Sequence, residues 1–125
     1  MPLMTIHLEL GRTREAPCGD PRHGYEFVAP LDRHGHLSAE LWGTEKAKCT
    51  VRSFRPGRDE RKGLLRHVGR GWRFDYLPDG KEDDEPFFKL DQHVIASGFY
   101  ITICEDDGVQ RPFKIVAVMP LRRAA

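Results

Sequence analysis

Phe99-Tyr100-Ile101-Thr102-Ile103-Cys104, the dipeptide Asp107-Gly108, and the run from Phe113 through Ile115 and Ala117 to Met119 form the stretch that decides the fold. Its alternate positions are apolar, and the Asp-Gly pair between the two runs supplies a turn, so the segment reads as a β-hairpin. The same period of two recurs upstream. Met4, Ile6, Leu8 and Leu10 alternate with Thr5, His7 and Glu9, and Tyr25, Phe27 and Ala29 alternate with Glu26 and Val28 before Pro30. Cys49 to Ser53, closed by Arg55-Pro56-Gly57, predicts a third strand; Leu64 to Val68, Trp72 to Tyr76 and Phe87 to Leu90 predict more.

Between these strands, Gly11 to His23 reads as an irregular arm, residues 58–63 as a charged loop, and the acidic stretch 78–86 as a solvated loop. Ser38 ahead of Ala39-Glu40-Leu41-Trp42 predicts one short capped helix, which Gly43 weakens. Short, regularly punctuated strands define an all-β, mainly antiparallel fold, a small barrel or rolled sheet with at most one short helix. Period-two spacing predicts that Trp72, Phe74, Phe99, Ile101, Ile103, Phe113 and Ile115 point inward.

A length of 125 residues predicts a single domain, 1–125. Leu, Ile, Val and Phe make up 30 residues, 24% of the chain, enough to offset the ordering entropy of a charged sequence. The apolar runs are too short to span a bilayer as a helix, and the N-terminus lacks the basic region of a secretory signal. Cys18, Cys49 and Cys104 form no CxxC pair, which points to reduced thiols and a cytoplasmic setting rather than a disulfide framework.

The formal charge of +1 conceals an uneven distribution: residues 1–77 carry 14 basic and 10 acidic side chains, whereas residues 78–107 carry 2 and 9. Residues 50–73 are the most basic, with Arg52, Arg55, Arg58, Arg61, Lys62, Arg66, Arg70 and Arg73 against Asp59 and Glu60. Arg52, Arg55, Arg66, Arg70 and Arg73 are the candidate contacts to a single-stranded nucleic acid, with Phe54, Trp72 and Phe74 as stacking surfaces. The competing reading is that these charges face neighbouring carboxylates and neutralise one another.

The chemistry-bearing residues are fewer. His34 and His36, with Cys18 and His23, are acceptable Zn²⁺ donors, but the paired spacings of a structural site are missing, so no metal and no other cofactor is expected. His67 and His93 stand alone in β segments. Catalysis would have to use Cys18 or Cys104 as nucleophile, or a carboxylate among Asp79, Glu82, Asp83, Asp84 and Glu85 as base. Cys104 precedes Glu105, Asp106 and Asp107, whose charges oppose a thiolate, and no nucleophile elbow, P-loop or dinucleotide fingerprint is present.

Gly24-Tyr25-Glu26-Phe27-Val28-Ala29-Pro30-Leu31, Trp72-Arg73-Phe74-Asp75-Tyr76, and Asp84-Glu85-Pro86 with His93, Gly98 and Tyr100 resemble a group of small bacterial β-proteins with no assigned activity. That resemblance implies no catalytic or binding residues. The sequence on its own supports a binding or interaction domain. A protein partner or self-association is the first expectation, single-stranded nucleic acid the second, and a metal-binding protein or enzyme the third.

Overall fold

The computed structural model describes residues 3–68, 71–76, 85–88, 94–105 and 107–121. Strands β1 (Leu3–Leu10), β2 (Asp20–Pro30), β3 (Thr50–Arg55), β4 (Arg58–Val68), β5 (Gly71–Tyr76), β6 (Glu85–Phe88), β7 (Tyr100–Cys104) and β8 (Gln110–Pro120) follow one another in space as in sequence. Each pairs antiparallel with the next, and β8 returns to pair with β1, so the rolled sheet closes into a barrel. The seam is thinnest at β6, with two registered pairs on either side. Helix α1 (Ala39–Glu45) lies between β2 and β3, and Ser38 caps it by accepting a hydrogen bond from the Leu41 amide at 3.2 Å. Gly43 is exposed on that helix with open space around it, so the propensity cost is not compounded by packing. Among the described residues no helix is long and apolar enough to cross a membrane.

The period-two positions fill the barrel. Ile6 and Leu8, Tyr25 and Phe27, Phe74, Ile101 and Ile103, and Phe113 and Ile115 are fully buried. Their aromatic rings meet at tilted or edge-on angles: Phe74 lies 5.0 Å from Tyr25 and 5.2 Å from Phe27, and Tyr25 lies 5.1 Å from Phe113. This geometry suits the ring quadrupoles and leaves the interior occupied by side chains. The predicted hairpin is β7–β8, with Gly108 at a φ of 79° in its turn.

Four expectations need correction. Phe99 is 53% exposed, because it closes a turn in which its amide bonds to Ala96 at 3.2 Å and lies just outside β7; Ile95 is the apolar side chain that this stretch buries. The charged segment 58–63 is the first half of β4. Arg58, Asp59 and Glu60 are exposed, so the β3–β4 hairpin is paired through its backbone without burying its charged tip.

The arm ends earlier than His23, since β2 begins at Asp20. Opposite β1, Glu9 faces Gly24 whereas Leu10 faces Asp20, so Pro21, Arg22 and His23 bulge from the ladder. Gly24 makes the return possible, because a Cβ there would sit 2.0 Å from the Leu8 carbonyl oxygen. Finally, Glu85 and Pro86, assigned to the acidic loop, belong to β6; residues 78–84 lie outside the described residues.

Candidate functional site

The bulge at the start of β2 turns His23 inward, one alternation before Tyr25, and at the same end of the barrel β7 is followed by Glu105 and β8 begins near Arg111. These four side chains meet under cover: Tyr25 is 1% exposed, Glu105 3%, His23 6% and Arg111 9%. Glu105 is the centre of the group. Its Oε1 accepts from His23 Nε2 at 3.0 Å and from Arg111 Nη1 at 2.8 Å; its Oε2 accepts from His23 Nε2 at 2.9 Å and from the Tyr25 hydroxyl at 2.5 Å. Arg111 then extends to Asp107, at 3.0 Å from Oδ1 and 2.9 Å from Oδ2, and Arg55 donates to Asp107 Oδ2 at 3.3 Å. A polar chain thus runs from the core, through Glu105 and Arg111, to the surface pair Asp107 and Arg55.

The electrostatics explain why a buried carboxylate is tolerated. Burial pushes the Glu105 carboxyl upward, but the hydrogen bonds from His23, Tyr25 and Arg111 outweigh that push and hold it below its ordinary value. Asp107 is held far below the usual carboxylate range, first by Arg111, while Arg111 is itself raised, first by Asp107. Among the described residues no buried side-chain nitrogen or oxygen lacks a hydrogen-bond partner. His23, Tyr25 and Arg111 all donate to Glu105, and the group ties β2, β7 and β8 together at this end of the barrel.

Of the basic candidates, Arg52, Arg55 and Arg66 are matched with acids. Arg52 contacts Glu60 at 2.9 Å and Glu26 at 3.7 Å, and lies over Phe54 at 5.1 Å from the ring centroid. Arg66 contacts Asp75 at 2.8 Å, and Arg55 takes part in the polar chain described above. Arg73 stands opposite Arg66 in the β4–β5 ladder, and Arg70 lies outside the described residues. Trp72 is 3% exposed and Phe74 is fully buried, so neither offers a stacking face; Phe54 stacks instead on His7 at 5.6 Å. The chain matches no protein family, no curated protein and no solved structure.

The four metal-donor candidates do not converge. His23 is committed to Glu105, and Cys18 is exposed on the arm. His34 and His36 flank a turn in which their amides donate to Asp32 Oδ1 at 2.8 and 3.1 Å, which holds the Asp32 carboxyl below its ordinary value. Among the described residues no group of three His, Cys, Asp or Glu side chains could hold a metal ion. Of the thiols, Cys49 is buried, and desolvation followed by the charge of Glu45 pushes it up to about 11. Cys104 is partly buried on β7, directly before Glu105. His67 packs against Trp72 at 4.5 Å; His93 and the carboxylates Asp79, Glu82, Asp83 and Asp84 lie outside the described residues.

Sequence reasoning missed the Glu105 group as a unit. A signal was present in the alternation itself: Glu105 continues the inward series Ile101, Ile103, and Arg111 precedes the inward series Phe113, Ile115. Charged residues at inward positions of adjacent strands are candidates for one buried pair.

Proposed function

We propose that this chain is a small non-catalytic binding domain that engages a protein through the outer wall of its barrel. The observation that carries the reading is the pairing of Arg52, Arg55 and Arg66 with Glu60, Asp107 and Asp75, all on this same chain. A polyanion requires a net positive field, and charges matched at hydrogen-bond distance leave little field beyond the Debye length. On the outer wall, Met119 and Leu121 are 55% and 40% exposed, and Leu121 lines a groove together with Glu26, Arg52 and Lys62. Apolar groups set among charged ones are the composition of a protein-binding surface rather than of a nucleic-acid groove.

The test pairs two measurements. A photo-crosslinking side chain introduced at Met119 should give a discrete protein adduct in the expressing cell that is lost when the crosslinker is moved to Arg14. Labelled single-stranded oligonucleotides titrated at two salt concentrations should bind weakly. Micromolar or tighter binding at near-physiological salt, weakened by Arg52→Glu with Arg66→Glu and falling by a log–log slope of about −0.7 per phosphate contact, overturns the reading in favour of nucleic acid.

A further inference from the structure

The arm that leaves β1 folds back beside β8 and borders a cleft of about 230 Å³ whose lining includes Glu9, Gly11, Arg12, Cys18, Tyr100 and Lys114. The wall is held in place. The Gly11 amide donates to the Pro112 carbonyl at 2.8 Å, Thr13 and Ala16 exchange hydrogen bonds at 3.0 and 2.9 Å, and the Gly19 amide closes on the Ala16 carbonyl at 2.9 Å. Tyr100 is 49% exposed and lies close over the Gly11 backbone, where an added Cβ would come within 2.9 Å of its Cε2.

Glu9, Lys114 and Tyr100 stand abreast on β1, β8 and β7, because Glu9 and Tyr100 are both ladder partners of Lys114. The Glu9 carboxylate is engaged by His7, its Oε2 lying 3.2 Å from His7 Nε2. Among the described residues neither Arg12 nor Lys114 takes part in an ion pair, in contrast to Arg52, Arg55 and Arg66. The cleft therefore offers two uncommitted cations, one from the arm and one from the barrel wall, beside a half-exposed aromatic ring.

We propose that this cleft binds a small aromatic carboxylate, with the carboxylate between Arg12 and Lys114 and the ring against Tyr100. The guanidinium and ammonium supply charge-assisted donors, and the phenol ring supplies a flat apolar face. A cleft of about 230 Å³, open to solvent on one side, has room for one ring and its carboxylate. Acetate would satisfy the cations and leave Tyr100 unused. The site stands independently of the protein-binding reading, since it uses neither Met119 nor Leu121.

Cys18 lines the cleft and reports on its occupancy. The experiment follows alkylation of Cys18 by neutral iodoacetamide, read at the Cys18 peptide by mass spectrometry, with benzoate or acetate added at matched ionic strength. Benzoate should slow the reaction at least threefold and acetate should not. Arg12→Ala with Lys114→Ala should abolish the protection, and Gly11→Ala, which displaces Tyr100 without removing a charge, should weaken it. Circular dichroism melts establish that each variant is folded; should the double variant unfold, Arg12→Ala alone carries the comparison. Protection by benzoate no greater than by acetate, or undiminished in the folded cation variants, overturns the proposal.

Discussion

The Tyr25 hydroxyl lies 2.5 Å from Glu105 Oε2, joining side chains 80 residues apart inside the barrel. Because Glu105 also receives His23 and Arg111, this contact ties the start of β2 to the hairpin between β7 and β8. A buried carboxylate with this many donors contributes to stability only while its partners remain in place.

The partners should accordingly differ in weight. Tyr25→Phe removes one donor to a charged acceptor and should cost about 1.5–3 kcal/mol. Glu105→Leu leaves Arg111 and His23 in a buried setting without their shared acceptor and should cost about 3–5 kcal/mol. Denaturant unfolding of both variants checks the order; a Glu105→Leu variant as stable as the wild type would show that the polar chain does not hold this end of the barrel.

Acid should weaken the fold through the same residues. Glu105 and Asp107 titrate in the folded protein below their ordinary values of 4.5 and 3.8, so the unfolded chain binds more protons in the window between the folded and unfolded values. Their contribution is present above the unfolded values and is lost as pH falls through the folded ones. Urea midpoints measured from pH 6 down to pH 3 should therefore decline, and Glu105→Gln with Asp107→Asn should flatten the decline. A midpoint with the same pH slope in that variant would assign acid sensitivity elsewhere.

Two aromatic residues should respond unequally to truncation. Trp72 is 3% exposed and packs edge-on against Trp42 at 5.9 Å, so Trp72→Ala should cost about 3–5 kcal/mol. Phe99, at 53% exposure, should cost under about 1 kcal/mol when changed to Ala. Equal thermal shifts for the two variants would contradict the packing described for the barrel.

Metal should be dispensable. Cys18, His23, His34 and His36 sit in three separate settings, so purified protein should hold less than one equivalent of zinc and its melting temperature should not move with a chelator. One equivalent of zinc, lost in His34→Ala or His36→Ala, would reverse this.

The alternation along Leu3–Leu10, Gly71–Tyr76 and Tyr100–Cys104, the turn at Asp107-Gly108 and the cap at Ser38 were legible without coordinates, because each depends on residues close along the chain. The all-β class followed from them. The partners of Arg52, Arg55 and Arg66 were not legible, since Glu60, Asp107 and Asp75 become neighbours only once strand order and register exist. Phe99 shows the same division: its parity matched Ile101 and Ile103, but a turn with Ala96 carried it out of the strand. His23, Tyr25, Glu105 and Arg111 mark the limit most clearly. Alternation could set each of them facing inward, but only closure of the barrel brought them together and withdrew water, so that each polar group had to find its partner in the others.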